Sequence, residues 1–529
     1  MPFYTLRLDK YAAILTFLWI SFFIYTLAEC LRLCQGHLIY ALDDPYIHLT
    51  FASRLLQGTF GINQGELASP GSSLLWPWLM ALTEIGKLGV WGPLIANIPI
   101  ALCSVYLGGV LLKKINAVEP LTRSPYAYAL GLTMIFAMNA VALPFTGMEH
   151  LLHILLLLVI LLEMLKVARG AGPSRVLGVC LVLLPLVRLE GLAYAGTAFL
   201  VLWLRGYRKQ SLAYAAGLTA LLGIYAGVML HLKLPIIPGS ILLKSDFASS
   251  AVQGDGISYA LLNHFLGSLA HPSGQMLLAC GFIMLCMLIH QRHNRAMLFI
   301  VLPVFAAVVA HIFAGHYGFF FRYEDYAMTL AFFGIQICRD NREDVAQHQG
   351  SALLSCLLLV MSVFIAAPYA KAALLTPLAA RNNYEQQYQM RRFVFDFFPE
   401  PIAVNDLGLV SFGNDNYVLD LWGLGSEEIR KLKMANAYDS KAMERIIKEH
   451  NIQLIMIYES WYRDQIPASW VKLAVLHTRE RIVVAQQDVA FFAPSATQTD
   501  ALKQALVRFK KTLPREIGLQ LFFDPSGFE

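Results

Sequence analysis

The sequence predicts a polytopic α-helical membrane protein of about 11 spans, with helices on its external face and an α/β domain at its C-terminal end. Three observations carry that expectation. Hydrophobic residues make up 57% of the 529 and charged residues only 15%, with a mean hydropathy of +0.54; a soluble domain holds about 45–50% and about 25%. Apolar stretches recur from residue 11 to residue 370, most of them near the roughly 20 residues that a bilayer-crossing helix needs. Beyond 370 the chain turns polar, and short β-rich runs alternate with helical periods.

In chain order, spans are expected near 11–34, 92–112, 125–144, 149–168, 174–188, 190–204, 211–232, 273–290, 296–315, 326–338 and 351–370. The first is too long for a signal-peptide core and lacks a small-residue exit, so it stays as a span. The pair around Arg188 and Glu190 is short and reads as a re-entrant or partly buried hairpin. Basic residues set the orientation. Lys113, Lys114 and Arg123, then Lys166, Arg169 and Arg175, then Arg205, Arg208 and Lys209 mark alternate turns. That bias puts the first loop, 35–91, and everything after 370 outside the cytoplasm. The chain thus divides into a transmembrane unit, 1–370, and an external α/β unit, 371–529. The net charge of +5 is dispersed, and no stretch has the dense basic, aromatic-interleaved character of a nucleic-acid surface. All eight cysteines lie in or beside apolar segments, as small packing residues do.

The first loop opens with Asp43-Asp44-Pro45-Tyr46. Asp44 is expected to cap a helix begun by Pro45, and Gly58 to stop it. A second short helix, from Ser72 to about Lys87, carries Trp76 and Trp78, which favour the headgroup level. In the C-terminal unit the β-rich runs are 402–405, 417–422, 452–458 and 481–492, and the helical patterns 384–397, 426–435, 440–450 and 497–512.

A carboxylate pair at a membrane boundary is costly unless something uses it. Adjacent residues do not face the same way, so the two acids take different parts rather than share a proton. Asp43 is the favoured general base, with Asp44, the expected cap, orienting the loop or holding a metal or a substrate hydroxyl. Other candidates are Glu149 at the external start of a span, Arg188 and Glu190 inside an apolar run, Lys244 and Arg322 in external segments, and His316, with His311, near Arg322. Each has an ordinary reading: a helix-start acid, a structural ion pair, cations snorkelling at the interface. Together, external cations beside an external carboxylate suit a phosphate leaving group. A sugar on a lipid phosphate needs one base for the acceptor hydroxyl and cations for the departing phosphate, and one in-line displacement inverts the anomeric carbon. No zinc spacing, P-loop, G-x-S-x-G or dinucleotide fingerprint is present. No metal ligands are assigned, and a divalent cation is the one cofactor left open.

These residues resemble the GT-C superfamily of membrane glycosyltransferases, and most of all its bacterial terminal arabinofuranosyltransferases. The resemblance rests on Asp43-Asp44-Pro45-Tyr46-Ile47 continuing through Phe60-Gly61-Ile62-Asn63-Gln64-Gly65-Glu66 to Ser69-Pro70. It extends to Thr146-Gly147-Met148-Glu149, Arg188-Leu189-Glu190-Gly191, the Lys244 loop, Phe321-Arg322-Tyr323, Val404-Asn405-Asp406-Leu407-Gly408 and Leu419-Asp420-Leu421-Trp422-Gly423-Leu424. Relatives often carry a small residue where Pro45 stands and a proline where Leu189 stands. The resemblance implies a GT-C-like fold, a base at Asp43 or Asp44, a polyprenyl-phosphate-linked sugar donor and inversion. It implies an extracytoplasmic glycan, lipid or protein acceptor, arabinofuranose among the candidate sugars, and residence in a bacterial inner membrane with the active site on the periplasmic side. A multi-span transporter or flippase with Arg188 and Glu190 on its ion path, and a non-catalytic glycan-binding scaffold, are the competing classes. A transporter does not account for the long first loop or the external domain.

Overall fold

The computed structural model describes residues 9–115, 125–244, 256–340 and 348–528. Among these residues, seven helices are long and apolar enough to cross a membrane and four further apolar helices are shorter. Together they fall on the eleven stretches that the hydropathy pattern predicts. In order, the helices are α1 (Lys10–Leu33), α2 (Asp44–Leu56), α3 (Trp76–Ile85), α4 (Gly92–Lys114), α5 (Pro125–Ala137), α6 (His150–Ala168), α7 (Arg175–Val187), α8 (Gly191–Leu204), α9 (Arg208–His231), α10 (Gly239–Lys244), α11 (Ile257–Ala270), α12 (Pro272–His290), α13 (Arg295–Ala314), α14 (Asp325–Asp340) and α15 (His348–Glu385).

Packing follows residue size and charge. Helix α6, apolar all round, lies inside the bundle, whereas α9 lies at its edge and is mostly exposed. Small residues bring α1 and α4 together: a Cβ on Gly109 would sit 3.0 Å from the Ala12 backbone. At that end Asp9 caps α1 by accepting from Ala12 N–H (3.2 Å) and pairs with Lys113 of α4 at 2.9 Å. Helices α7 and α8 span about 20 Å each at 1.5 Å per residue, short of the ~30 Å hydrocarbon core. The break between them leaves Arg188 extended (φ −149°, ψ 131°) and hydrogen-bonds the Leu186 carbonyl to the Leu74 and Leu75 N–H groups of the first loop.

Helix α15 runs through Pro368 and Pro377, past residue 370, to Glu385. A six-stranded sheet follows, with strands β1 (Ile402–Val404), β2 (Val418–Asp420), β3 (Leu454–Ile457), β4 (Val471–His477), β5 (Asp488–Ala493) and β6 (Gly518–Leu521) in the order β2-β1-β3-β5-β4-β6. The first three are parallel to one another, and β5, β4 and β6 add antiparallel. The run expected at 481–492 is a strand only from Asp488. Its first half is held instead by Asn382, whose Oδ1 accepts from the Ile482, Val483 and Val484 N–H groups at 3.0–3.2 Å.

The first loop joins the two parts. Helix α2 is apolar on two faces: Tyr46 and Leu49 belong to the core of the helical bundle, while Ile47 and Phe51 pack with Phe393, Val404 and Val418 beneath the sheet. Side chains staple the layers, with Asn63 exchanging hydrogen bonds with the Val418 backbone (3.0 Å each way) and Arg54 donating to the Asn414 carbonyl at 3.0 Å. In α3, Trp78 is exposed, whereas Trp76 is fully buried and donates to the Gly147 carbonyl at 3.3 Å.

Candidate active site

The start of α2, the Arg188–Glu190 break, α10 and the segment 314–323 enclose a cavity of about 550 Å³. Asp44, His48, His150, Arg188, Glu190, His316 and Arg322 bring polar atoms to it, and Ile237, Ile241, Leu243 and Phe319 line it with apolar surface. A site of this kind takes a ligand that is part charged, part hydrocarbon.

The two aspartates diverge, and Asp44 is not the expected cap. The helix starts at Asp44 rather than Pro45, and Asp43 stands at the cap position without a side-chain capping bond. Only its carbonyl serves, accepting from Tyr46 N–H at 3.2 Å. Asp44 does not cap, because its carboxylate is drawn to Arg322 Nη2 at 2.5 Å on the cavity wall. Asp43 is not without a structural partner either. Its two oxygens accept from the Gly408 and Leu409 N–H groups of the C-terminal unit at 2.7 and 2.8 Å. A Cβ on Gly408 would come 2.1 Å from the Asp43 carbonyl oxygen, so that approach requires glycine. Behind Asp43, Asp406 accepts from Tyr458 Oη (2.5 Å) and Gln387 Nε2 (3.0 Å). Burial and the charge of Asp406 push the Asp43 carboxyl up to about 8, against the pull of its two N–H donors.

Arg322 is delivered by an unusual backbone. Gly318, Phe319, Phe320 and Phe321 all have positive φ, at 93°, 46°, 63° and 58°. For the three phenylalanines a left-handed turn costs roughly 1–2 kcal/mol per residue. Glu324 holds the turn in place by accepting from Gly318 N–H (3.1 Å) and Ser273 Oγ (3.0 Å), and burial pushes its carboxyl up to about 7. The Arg322 side chain is 2% exposed. Burial opposes its charge, but Asp44 opposite holds it above its ordinary value. Its Nε and Nη1 are buried with no hydrogen-bond partner among the described residues.

Arg188 forms the second half of the site. Its guanidinium bridges Glu149 (2.8 Å) and Glu190 (2.6 Å), so the pair expected between Arg188 and Glu190 is a triad, with Glu149 fully buried behind it. The Tyr323 ring lies between the two guanidiniums, 5.9 Å from Arg188 and 5.1 Å from Arg322. His316 lines the cavity with its ring 6.2 Å from Tyr323. His311 does not line it and bonds Tyr326 Oη at 3.1 Å. Lys244 ends α10, and its side chain lies outside the described residues. Among the described residues, no three His, Cys, Asp or Glu side chains converge to hold a metal ion; Asp44 and Glu190 are each engaged by a guanidinium.

The lining also includes His48, His150, Tyr323 and Trp422, which were not among the candidates. His48 had a signal, since it stands four residues after Asp44 and so shares its helical face. Trp422 arrives from the far end of the chain, and no local spacing announces it.

A family model described as a domain of unknown function (DUF8728) matches residues 378–492. No curated protein matches the sequence. Among solved structures, the chain is similar to ArnT from Cupriavidus metallidurans in the apo state, at 12% identity over 91% of this chain and 98% of that one, with a TM-score of 0.46. It is similar to the same protein bound to undecaprenyl phosphate, at 12% identity over 92% and 99%, with a TM-score of 0.43. It is also similar to the arabinofuranosyltransferase AftD from Mycobacteria, at 13% identity over 91% of this chain and 40% of that one, with a TM-score of 0.42.

Proposed function

We propose that this chain is an inverting glycosyltransferase that moves a sugar from a polyprenyl-phosphate donor to an extracytoplasmic acceptor. One observation carries the reading: a carboxylate and a buried, partly unpartnered guanidinium, Asp44 and Arg322, meet on the wall of a cavity that is otherwise largely apolar. In this reading the donor phosphate takes the free Nε and Nη1 donors of Arg322, an arrangement suited to an oxyanion. Arg188, anchored by Glu149 and Glu190, supports the same charge, and His316 and Lys244 are further candidates to hold it. Asp44, released from Arg322 as the phosphate binds, accepts the proton of the acceptor hydroxyl. The acceptor oxygen bonds to the anomeric carbon as the carbon–oxygen bond to phosphate breaks, and the electron pair leaves with the polyprenyl phosphate. A single displacement inverts the anomeric centre.

Asp43 becomes a positioning residue in this scheme, tying the first loop to Gly408 and Leu409. Residues 1–370 form the catalytic membrane unit and 371–529 the external unit, and the protein resides in a bacterial inner membrane with the cavity on the periplasmic side. Arabinofuranose is one candidate sugar. The test is to incubate the purified full-length protein with polyprenyl-phosphate sugars and an envelope-glycan acceptor, then to read the anomeric configuration of the product by NMR. Release of polyprenyl phosphate with an inverted product is expected. A retained configuration, or no release with any donor, contradicts the proposal.

A further inference from the structure

The three parallel strands β2, β1 and β3 lie side by side with the chain running β1 to β2 on one flank and on to β3 at the other. Their carboxyl ends therefore open at the place where strand order reverses, the position at which parallel α/β sheets bind ligands. The residues just beyond those ends are Asn405 and Asp406 after β1, Trp422 after β2, and Tyr458 to Trp461 after β3. This edge faces the first loop, because Asp43 docks on Gly408 and Leu409 immediately after β1. Trp422 itself lines the cavity that holds Asp44 and Arg322.

Trp422 is held in place by dedicated contacts. Asp420 accepts from the Trp422 and Gly425 N–H groups at 2.8 Å each, and Gly423 turns the chain with φ at +95°. Lys433 donates to the Trp422 carbonyl at 3.0 Å and lies 4.3 Å over its ring. The next ring outward is Trp461, at 5.0 Å from Trp422 and 5.1 Å from Tyr458. Trp461 is 37% exposed on a short turn whose neighbours Glu459, Ser460, Arg463 and Asp464 are exposed and polar. The two indoles, tilted 48° to one another, thus run from the cavity wall to solvent, with hydrogen-bonding groups beside them.

We infer that Trp422 and Trp461 form a saccharide-binding platform that presents a glycan acceptor to the cavity. A sugar ring matches such a surface, since its C–H bonds gather on one face while its hydroxyls radiate from the edge. The inference rests on the cavity being the transfer site and narrows the acceptor from glycan, lipid or protein to glycan.

The test uses the full-length protein in nanodiscs and, as probe, neutral oligosaccharides from a partial acid hydrolysate of the source cell's envelope glycan. Saturation-transfer NMR is expected to show signal on sugar ring protons. Trp461→Ala is expected to weaken binding about tenfold and Trp461→Phe to restore most of it, as ring stacking requires. Trp461 stands on an exposed turn, and an unchanged elution profile and melting curve confirm that each variant folds. No signal in the unaltered protein, equal binding by Trp461→Ala, or signal from added dodecyl phosphate in place of saccharide overturns the platform. Saccharide binding without any sugar transfer would leave the platform standing and overturn the transferase reading instead.

Discussion

Breaking the Asp44–Arg322 pair from its two ends should have unequal consequences. The Arg322 side chain is 2% exposed and that of Asp44 is 23% exposed. Asp44→Asn leaves a dehydrated guanidinium facing a neutral amide, with Nε and Nη1 already short of partners. Stranding a buried charge in this way costs roughly 3–5 kcal/mol. Arg322→Gln leaves a carboxylate that water reaches, at a cost of roughly 1–3 kcal/mol. The double variant Asp44→Asn/Arg322→Gln removes both charges and should be more stable than Asp44→Asn alone, so the coupling in the double-mutant cycle should exceed the cost of Arg322→Gln by itself. Thermal unfolding of the full-length protein in detergent, followed by tryptophan fluorescence, reads all four states. The order of melting temperatures should be unaltered protein, then Arg322→Gln and the double variant, then Asp44→Asn. An Arg322→Gln variant less stable than Asp44→Asn, or a double variant no better than Asp44→Asn, refutes the reasoning.

Three further outcomes follow from the same contacts. With the Asp43 carboxyl pushed up to about 8, the folded protein keeps a proton that the unfolded chain has lost above about pH 4. Its contribution is complete below that unfolded value and is lost as pH rises through about 8, so the melting temperature should fall over that window; Asp406→Asn, which removes the neighbouring charge, should flatten the fall, and a rising profile would contradict the assignment. Gly408→Ala places a methyl group 2.1 Å from the Asp43 carbonyl oxygen, so transfer activity should drop and the melting temperature with it; unchanged values in both would mean that the docking of the first loop is not required. Asn382→Ala strands the N–H groups of Ile482, Val483 and Val484 and the Glu480 carbonyl, and should cost roughly 2–4 kcal/mol. Hydrogen exchange of residues 480–484 should accelerate, and protection equal to that of the unaltered protein would refute the contact's importance.

The membrane helices were legible because each must bury about 20 apolar residues, and that demand is written locally. All eleven stretches form helices, down to the short pair α7 and α8 on either side of Arg188. Parallel strands β1, β2 and β3 were legible for a similar reason, as brief apolar runs bounded by turn residues. Strands β4 and β6 were not, because their pairing is long-range and their sequences mix polar residues with apolar ones. The different contacts of Asp43 and Asp44 were hidden for the same physical reason. Capping preference for Asp44 is a local argument worth about 1 kcal/mol. A buried guanidinium 278 positions away outweighs it, as do two N–H groups 365 and 366 positions away for Asp43. Of the candidates that did converge, Arg188 and Glu190 stood out by interrupting an apolar run, and Glu149, His316 and Arg322 by their places beside predicted span ends.

The central claim is that Asp44 takes the acceptor proton while Asp43 holds the loop. It is tested most directly by the single-turnover rate of sugar transfer from a polyprenyl-phosphate donor in Asp44→Asn and Asp43→Asn, each at a temperature where melting shows it folded. Loss of a general base costs about 10²–10⁴ in rate, so Asp44→Asn should fall by that much and Asp43→Asn by far less. A folded Asp44→Asn protein that transfers at the unaltered rate, with Asp43→Asn inactive, would contradict the account.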